Sequence, residues 1–290
     1  MITALLKQTL LLAALAAISQ NTIAINPLAA PPLANAGLEN IVVETYYVSN
    51  AADAAQADNE STDNGFPTGA LPEGSVTYRI YADMLSGYKL LGVYAEQSKG
   101  HDLQFSTSTS FYNNPNGGTT PSTNKASIKN KLLALDSWLS LGGVATGQYG
   151  VLKSEDNGLL NNITSANNIG GVLLNNATSA GIPLTTQDGM IAGTGIRSVS
   201  FLGFKGEESV LGDGTVVGSN LVVHDASIFT TDGAVGPDAT TNKLLIAQIT
   251  TNGSLSFKLN LILKAPDGTT ETYVYSNPKD GDILFPALSR

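Results

Sequence analysis

His224-Asp225 sets an imidazole beside a carboxylate in the sequence, and nucleophilic catalysis needs such a base beside a Ser or Cys. No Gly-x-Ser-x-Gly elbow accompanies the pair, which falls at the end of a predicted strand over Val216–Val223 and reads as a strand-end feature. Glycoside hydrolysis needs only two carboxylates, and Glu73, Glu96, Glu207, Glu208 and Asp136 could supply them. A sugar cleft usually adds stacking aromatics, however, and the single tryptophan, Trp138, reads as core. These residue types predict a protein that is not an enzyme.

Acidic and amide side chains suggest a second chemistry, calcium binding, because extracellular calcium sites collect loop carboxylates and carbonyl oxygens. Asp58, Asn59 and Glu60 with Asp63 form the densest cluster, Asp280 and Asp282 a second, and Asp213, Asp225 and Asp232 could converge from neighbouring loops. None has EF-hand spacing. Asp188-Gly189, Asp213-Gly214, Asp232-Gly233, Asp267-Gly268 and Asp280-Gly281 are also the ordinary turn chemistry of a β-protein. A third chemistry is glycan binding on a shallow aromatic platform, for which Tyr46, Tyr47, Tyr273 and Tyr275 are the candidates among ten tyrosines. Alternate tyrosines on a strand equally well serve cross-strand packing.

The elements that would position these residues follow from composition. At 42% hydrophobic the 290-residue chain can bury a core, while 13% charged residues is about half the usual share, so Asn, Thr, Ser and Gly must cover the surface. The net charge of −9 excludes a nucleic-acid partner, which demands a basic patch. Without cysteine no disulfide or thiolate zinc site can form, and two histidines are too few to replace them.

Lys7, the apolar run Leu10–Ile18 and the small-residue sites Thr22-Ile23-Ala24 and Ala34-Asn35-Ala36 read as a secretory signal, cleaved after Ala24 or Ala36. Cleavage after Ala24 would leave a Pro- and Ala-rich N-terminal arm. The apolar run is well short of the roughly 20 residues of a spanning helix, which favours a cleaved signal over the competing reading, an uncleaved anchor. The expected location is secreted, extracellular or surface-associated, with residues 37–290 as a single β-sandwich domain and 1–36 as signal and arm.

Period-two alternation dominates the rest. Lys243–Thr251, the hairpin signal Asn252-Gly253 and Leu255–Lys264 predict adjacent strands; Ala265-Pro266-Asp267-Gly268 then turns into Thr269–Ser276, giving a three-stranded meander. Ile41–Val48, Ser75–Asp83, Tyr88–Glu96 and Asp102–Ser110 predict a second meander, with Val76, Tyr78, Ile80 and Ala82 on one face and Thr77, Arg79 and Tyr81 on the other. Leu132–Leu141 suits either a strand or the continuation of a helix begun at Lys125–Lys131. Gly150–Gly195 reads as long Asn/Gly-rich loops, and acceptor patterns for glycosylation begin at Asn59, Asn162, Asn176 and Asn252. The predicted class is an all-β antiparallel sandwich, jelly-roll-like.

Gly74-Ser75-Val76-Thr77-Tyr78-Arg79-Ile80-Tyr81-Ala82-Asp83-Met84 with Gly87-Tyr88-Lys89-Leu90 resembles the opening of an uncharacterised domain in secreted proteins of Bacteroidota. Phe111-Tyr112-Asn113-Asn114, Asp136-Ser137-Trp138-Leu139 and Leu244-Leu245-Ile246-Ala247-Gln248 are similar to segments downstream in that group. The resemblance implies an exported, surface-associated β-domain and carries no site residues. Such domains often precede a C-terminal sorting module, whereas this chain stops at Arg290, which leads to the expectation that contacts between copies retain it. Ile41, Val43, Tyr46 and Val48 lie on the strand that could add to a neighbour's sheet and build a filament. The same strand could instead pair within its own domain. A self-assembling structural subunit is thus the expected function, and a monomeric carbohydrate-binding or adhesive module the alternative.

Overall fold

The computed structural model describes residues 36–121, 132–143, 199–236 and 240–290, all within the unit Pro32–Arg290. These residues form an all-β, sandwich-like fold with three hydrogen-bonded sheets and one α-helix. The first sheet has the order β1-β2-β9-β5: β1 (Leu38–Val48), β2 (Val76–Met84), β9 (Lys243–Thr251) and β5 (Trp138–Leu139). A second joins β10 (Leu255–Lys258), β4 (Leu103–Thr107) and β7 (Asn220–Val223) in that order.

The third sheet runs β13 (Asp282–Leu284), β12 (Thr270–Val274), β11 (Asn260–Lys264), β3 (Lys89–Glu96), β8 (Asp225–Ala234) and β6 (Ser200–Leu202). Pairing is antiparallel except between β12 and β13. Apolar side chains from all three sheets meet in one core, including Ile80, Leu90, Phe105, Ile228, Phe257 and Leu261. Alternation places them there, since every second residue of a strand faces the same side.

Two meander expectations are corrected. Asn252-Gly253 does not close a hairpin: β9 and β10 belong to different sheets, and β10 pairs with β4, Phe257 opposite Phe105. Thr251 Oγ1 accepts the Gly253 amide at 2.9 Å and meets the Thr107 and Thr109 hydroxyls at 2.7 and 3.0 Å. A Cβ on Gly253 would lie 2.6 Å from the nearest of these hydroxyls, so the glycine serves close approach rather than a reversed turn. The predicted strand Leu255–Lys264 is broken at Leu259, whose amide donates to Leu288 O, although its apolar row stays buried throughout. The Ala265–Gly268 turn does join β11 to β12, with Gly268 at φ +89°.

In the N-terminal half, β1 pairs with β2, but β3 and β4 each enter a different sheet. Leu132–Leu135 forms a buried 3-10 turn leading into β5, combining parts of both readings of that segment. The helix α1 (Ala51–Asp63) was not expected from the period-two pattern. It starts at a capping box, where Asn50 Oδ1 accepts the Ala52 and Asp53 amides and the Asp53 carboxylate accepts the Asn50 amide. The predicted signal and arm through residue 35, the loops at 150–195 and the acceptor patterns at Asn162 and Asn176 lie outside the described residues. Among the described residues no helix is long and apolar enough to cross a membrane.

Candidate functional site

The longest strand, β1, lies at the edge of its sheet. One side of its backbone pairs with β2, while among the described residues no strand pairs with the other. Register shifts at Leu38/Asn40 and Thr45/Tyr47 leave a regular run over Asn40–Thr45. Such an edge presents unpaired N–H and C=O groups to any other chain. The pairing with β2 is the alternative reading of this strand, in which it pairs within its own domain. Ile41 is buried and Val43 partly buried against the main core, and Tyr46 is buried beneath Arg79, whose guanidinium carbon lies 3.5 Å from the ring centroid. Only Val48, half exposed, and the exposed Thr45 face outward along the later part of the strand.

The glycan platform is not assembled. Tyr273 is fully buried: its hydroxyl donates to the Glu271 carboxylate and accepts the Leu38 amide at 3.2 Å. Tyr46 is buried as well, so neither ring offers a face to a sugar. Tyr47, in β1, and Tyr275, just after β12, are half-buried. Tyr47 donates to Asp53 Oδ2 at 2.8 Å, and burial followed by that carboxylate pushes its hydroxyl up to about 12. Tyr275 has the Lys258 ammonium 5.8 Å from its ring centroid.

The calcium clusters are also dispersed, because Asp58, Asn59, Glu60 and Asp63 stand on α1, where successive side chains diverge by about 100°. Asp58 accepts the Gly69 amide at 2.6 Å, and the Glu60 carboxylate turns inward to the Leu132 amide at 3.0 Å and Asn114 Nδ2 at 2.7 Å. Asp282 accepts the Lys279 amide at 2.8 Å and faces the buried His101 Nε2 at 3.8 Å, while Asp280 is exposed. Asp213 is occupied by Thr215, Asp225 opens β8, and the Asp232 side chain lies outside the described residues. Among the described residues no three His, Asp or Glu side chains stand close enough to hold a metal.

His224 pairs with Asp102 Oδ1 at 2.8 Å rather than with its neighbour Asp225, and sits exposed between β7 and β8. Glu96 is paired with Lys99 at 3.0 Å, an interaction that pulls its carboxyl below the usual range. Glu207 accepts the Lys205 amide, with the same effect, Glu208 accepts the Gly206 amide, and Glu73 is exposed. Each of these carboxylates except Glu73 thus has a local partner.

Sequence reasoning missed a buried polar layer beneath α1. Arg79 Nε donates to Gln248 Oε1 at 2.9 Å, and Gln248 Nε2 donates to the carbonyls of Ala134 and Asp136 at 2.9 and 2.7 Å. Asn114 bridges two acids, its side chain donating to Glu60 and its amide to Asp136 Oδ1 at 2.8 Å. Burial raises the Asp136 carboxyl well above its ordinary value, opposed by the backbone amides it accepts, including Asn114 and Gly118. This layer has the character of structural glue, whereas the free edge of β1 is the feature with room for a partner. No family model, curated protein or solved structure matches the chain.

Proposed function

We propose that this protein is an exported, non-catalytic structural subunit whose copies associate through the free edge of β1. The observation that carries the reading is that edge: the regular run Asn40–Thr45 is joined to β2 on one side only, and β1 holds neither Lys nor Pro, its guards being Glu39, Glu44, the register shift at each end of the run and the Asn40 side chain on the Ile41 amide. The location rests on the sequence, on Lys7, the run Leu10–Ile18 and the two small-residue cleavage sites. The resemblance to exported Bacteroidota domains supports the same location. Strand addition by an identical edge closes a dimer, while addition by a different edge, such as β6 or β13, propagates a filament.

Negative-stain electron microscopy of the purified chain, beside a Thr45→Lys/Val48→Lys variant, tests the proposal. Both residues are exposed on β1, so each substitution is expected to change stability by about 0.5 kcal/mol or less while placing charge on the edge. Assemblies of the natural chain that the variant does not form support the reading. A natural chain that stays monomeric at high concentration, or a variant that assembles equally well, overturns it.

A further inference from the structure

Gly37 follows the small-residue site Ala34-Asn35-Ala36 and is buried immediately before β1. Its amide donates to Glu271 Oε2 at 3.0 Å, and its carbonyl accepts the Leu85 amide at 2.8 Å. A Cβ here would lie 2.0 Å from a ring carbon of Tyr88, and that ring is held by its own bond to Glu271, so only glycine fits against it. The start of the first sheet is thereby brought onto a carboxylate of β12, in the third.

Glu271 collects donors without a cation. Its Oε1 accepts the Tyr88 hydroxyl at 3.2 Å. Its Oε2 accepts the Tyr273 hydroxyl beside the Gly37 amide, and the same hydroxyl accepts the Leu38 amide at 3.2 Å. The carboxylate is partly buried, and among the described residues no Lys, Arg or His pairs with it. A charge drawn out of water in this way is stabilised more by an opposite charge than by a further neutral donor. The Gly37 nitrogen, already in contact, becomes that charge once the peptide bond before it is cut, because a free α-amino group is largely protonated at neutral pH.

We propose that export removes residues 1–36 by hydrolysis of the bond between Ala36 and Gly37, and that the new α-ammonium of Gly37 forms an ion pair with Glu271. Hydrolysis consumes one water, whose hydroxyl goes to the Ala36 carbonyl carbon and whose hydrogen goes to the Gly37 nitrogen. The new Ala36 carboxyl then releases a proton and the Gly37 amine takes one up. The catalyst is the signal-peptide protease of the exporting cell, acting before the chain folds, since Gly37 and Leu38 are buried afterwards. Cleavage after Ala24 would leave the Gly37 nitrogen an amide and Glu271 without its cation. The inference rests on the exported location in the proposed function. To that location it adds a mature chain that starts one residue before β1 and is pinned to β12 by its own terminus.

The test expresses the full chain in a bacterial host and reads the exported protein by intact mass and N-terminal sequencing. A start at Gly37 is expected. An exported chain that starts at Ile25 or elsewhere overturns the inference and leaves the exported location standing, whereas a chain that stays in the cytoplasm with Met1 overturns both. The mature chain and its Glu271→Gln variant are then unfolded in denaturant between about pH 6 and about pH 10. The ion pair raises the pKa of the amino group in the folded state, so its stabilisation is full below the ordinary value of about 8 and is lost as pH rises through the raised one. For a rise of about one unit, the folded-to-unfolded ratio of the mature chain should fall about tenfold relative to the variant over that range. Tyr88 and Tyr273 at the site have their hydroxyls raised by burial and by Glu271, and Asp267 beyond Tyr88 is held below the usual carboxylate range, so none of them titrates in this window. A difference between the two chains that stays flat with pH overturns the ion pair.

Discussion

The four-stranded sheet has two faces, and the same two central strands build both by different means. On one face Ile80, Ala82, Leu244 and Ile249 enter the main apolar core. On the other, Thr77 faces Thr250 with hydroxyls 2.8 Å apart, and Arg79 faces Gln248 in register. This second face is equally dry: Thr77, Arg79, Gln248 and Thr250 are all at most 1% exposed. Apolar burial is non-directional and tolerates volume-conserving change, whereas a buried polar layer holds only while every donor keeps its acceptor. Adjacent residues on one strand should therefore fail for different reasons.

Gln248 and Ile249 make that difference measurable. Ile249→Ala should cost about 2–5 kcal/mol in denaturant unfolding, the usual range for a large truncation in a core. Gln248→Leu, which adds apolar character at nearly constant volume, should cost about 3 kcal/mol, because Arg79 Nε and two carbonyls each lose a partner at about 1 kcal/mol or more. A neutral Gln248→Leu would show that the covered face behaves as a second apolar core, and the contrast would collapse.

The period-two pattern made the inner face legible, since Val76, Tyr78, Ile80 and Ala82 stand out as one row and the class of fold follows from many such rows. It failed on the outer face for a physical reason. Thr77 and Arg79 look solvent-facing until something covers them, and the cover comes from distant segments: α1, Leu132–Leu135 and Tyr112–Asn114. Polar residues hydrogen-bonded to polar residues leave no hydropathy signal. The strand partners were hidden likewise, because alternation fixes which side a residue faces but not which strand lies beside it, as the Asn252-Gly253 crossing between sheets demonstrates.

Acid and base should divide the two faces next, since only the polar one titrates. The raised Asp136 carboxyl means that folding favours its protonated form. Its contribution to stability is fully present below the ordinary carboxylate value and is lost as pH rises through the raised value, at about 1.4 kcal/mol for each unit of separation. Exposed carboxyls held below the usual range, such as Asp213 and Asp267, act in the opposite direction at lower pH. Subtracting the pH profile of Asp136→Asn from that of the natural chain isolates the effect. The difference should decline with rising pH above the usual carboxylate range; a difference that instead rises would mean that the Asn114 and Gly118 amides outweigh burial and hold Asp136 charged.

The smallest effect asks whether the cover opens by itself. Asn50→Ala removes the acceptor for the Ala52 and Asp53 amides, a loss of about 1 kcal/mol. If α1 lifts off as a local unit, that loss appears only in α1, and hydrogen exchange of its amides should quicken about fivefold while β2 and β9 keep their protection. The Glu60 contacts to Asn114 and Leu132 at the far end of the helix oppose such opening, because lifting α1 strands both donors. Equal loss of protection in α1 and β9 would mean that those contacts bind the helix into the global unfolding unit. The covered face would then be as permanent a part of the interior as the apolar one, differing in chemistry but not in dynamics.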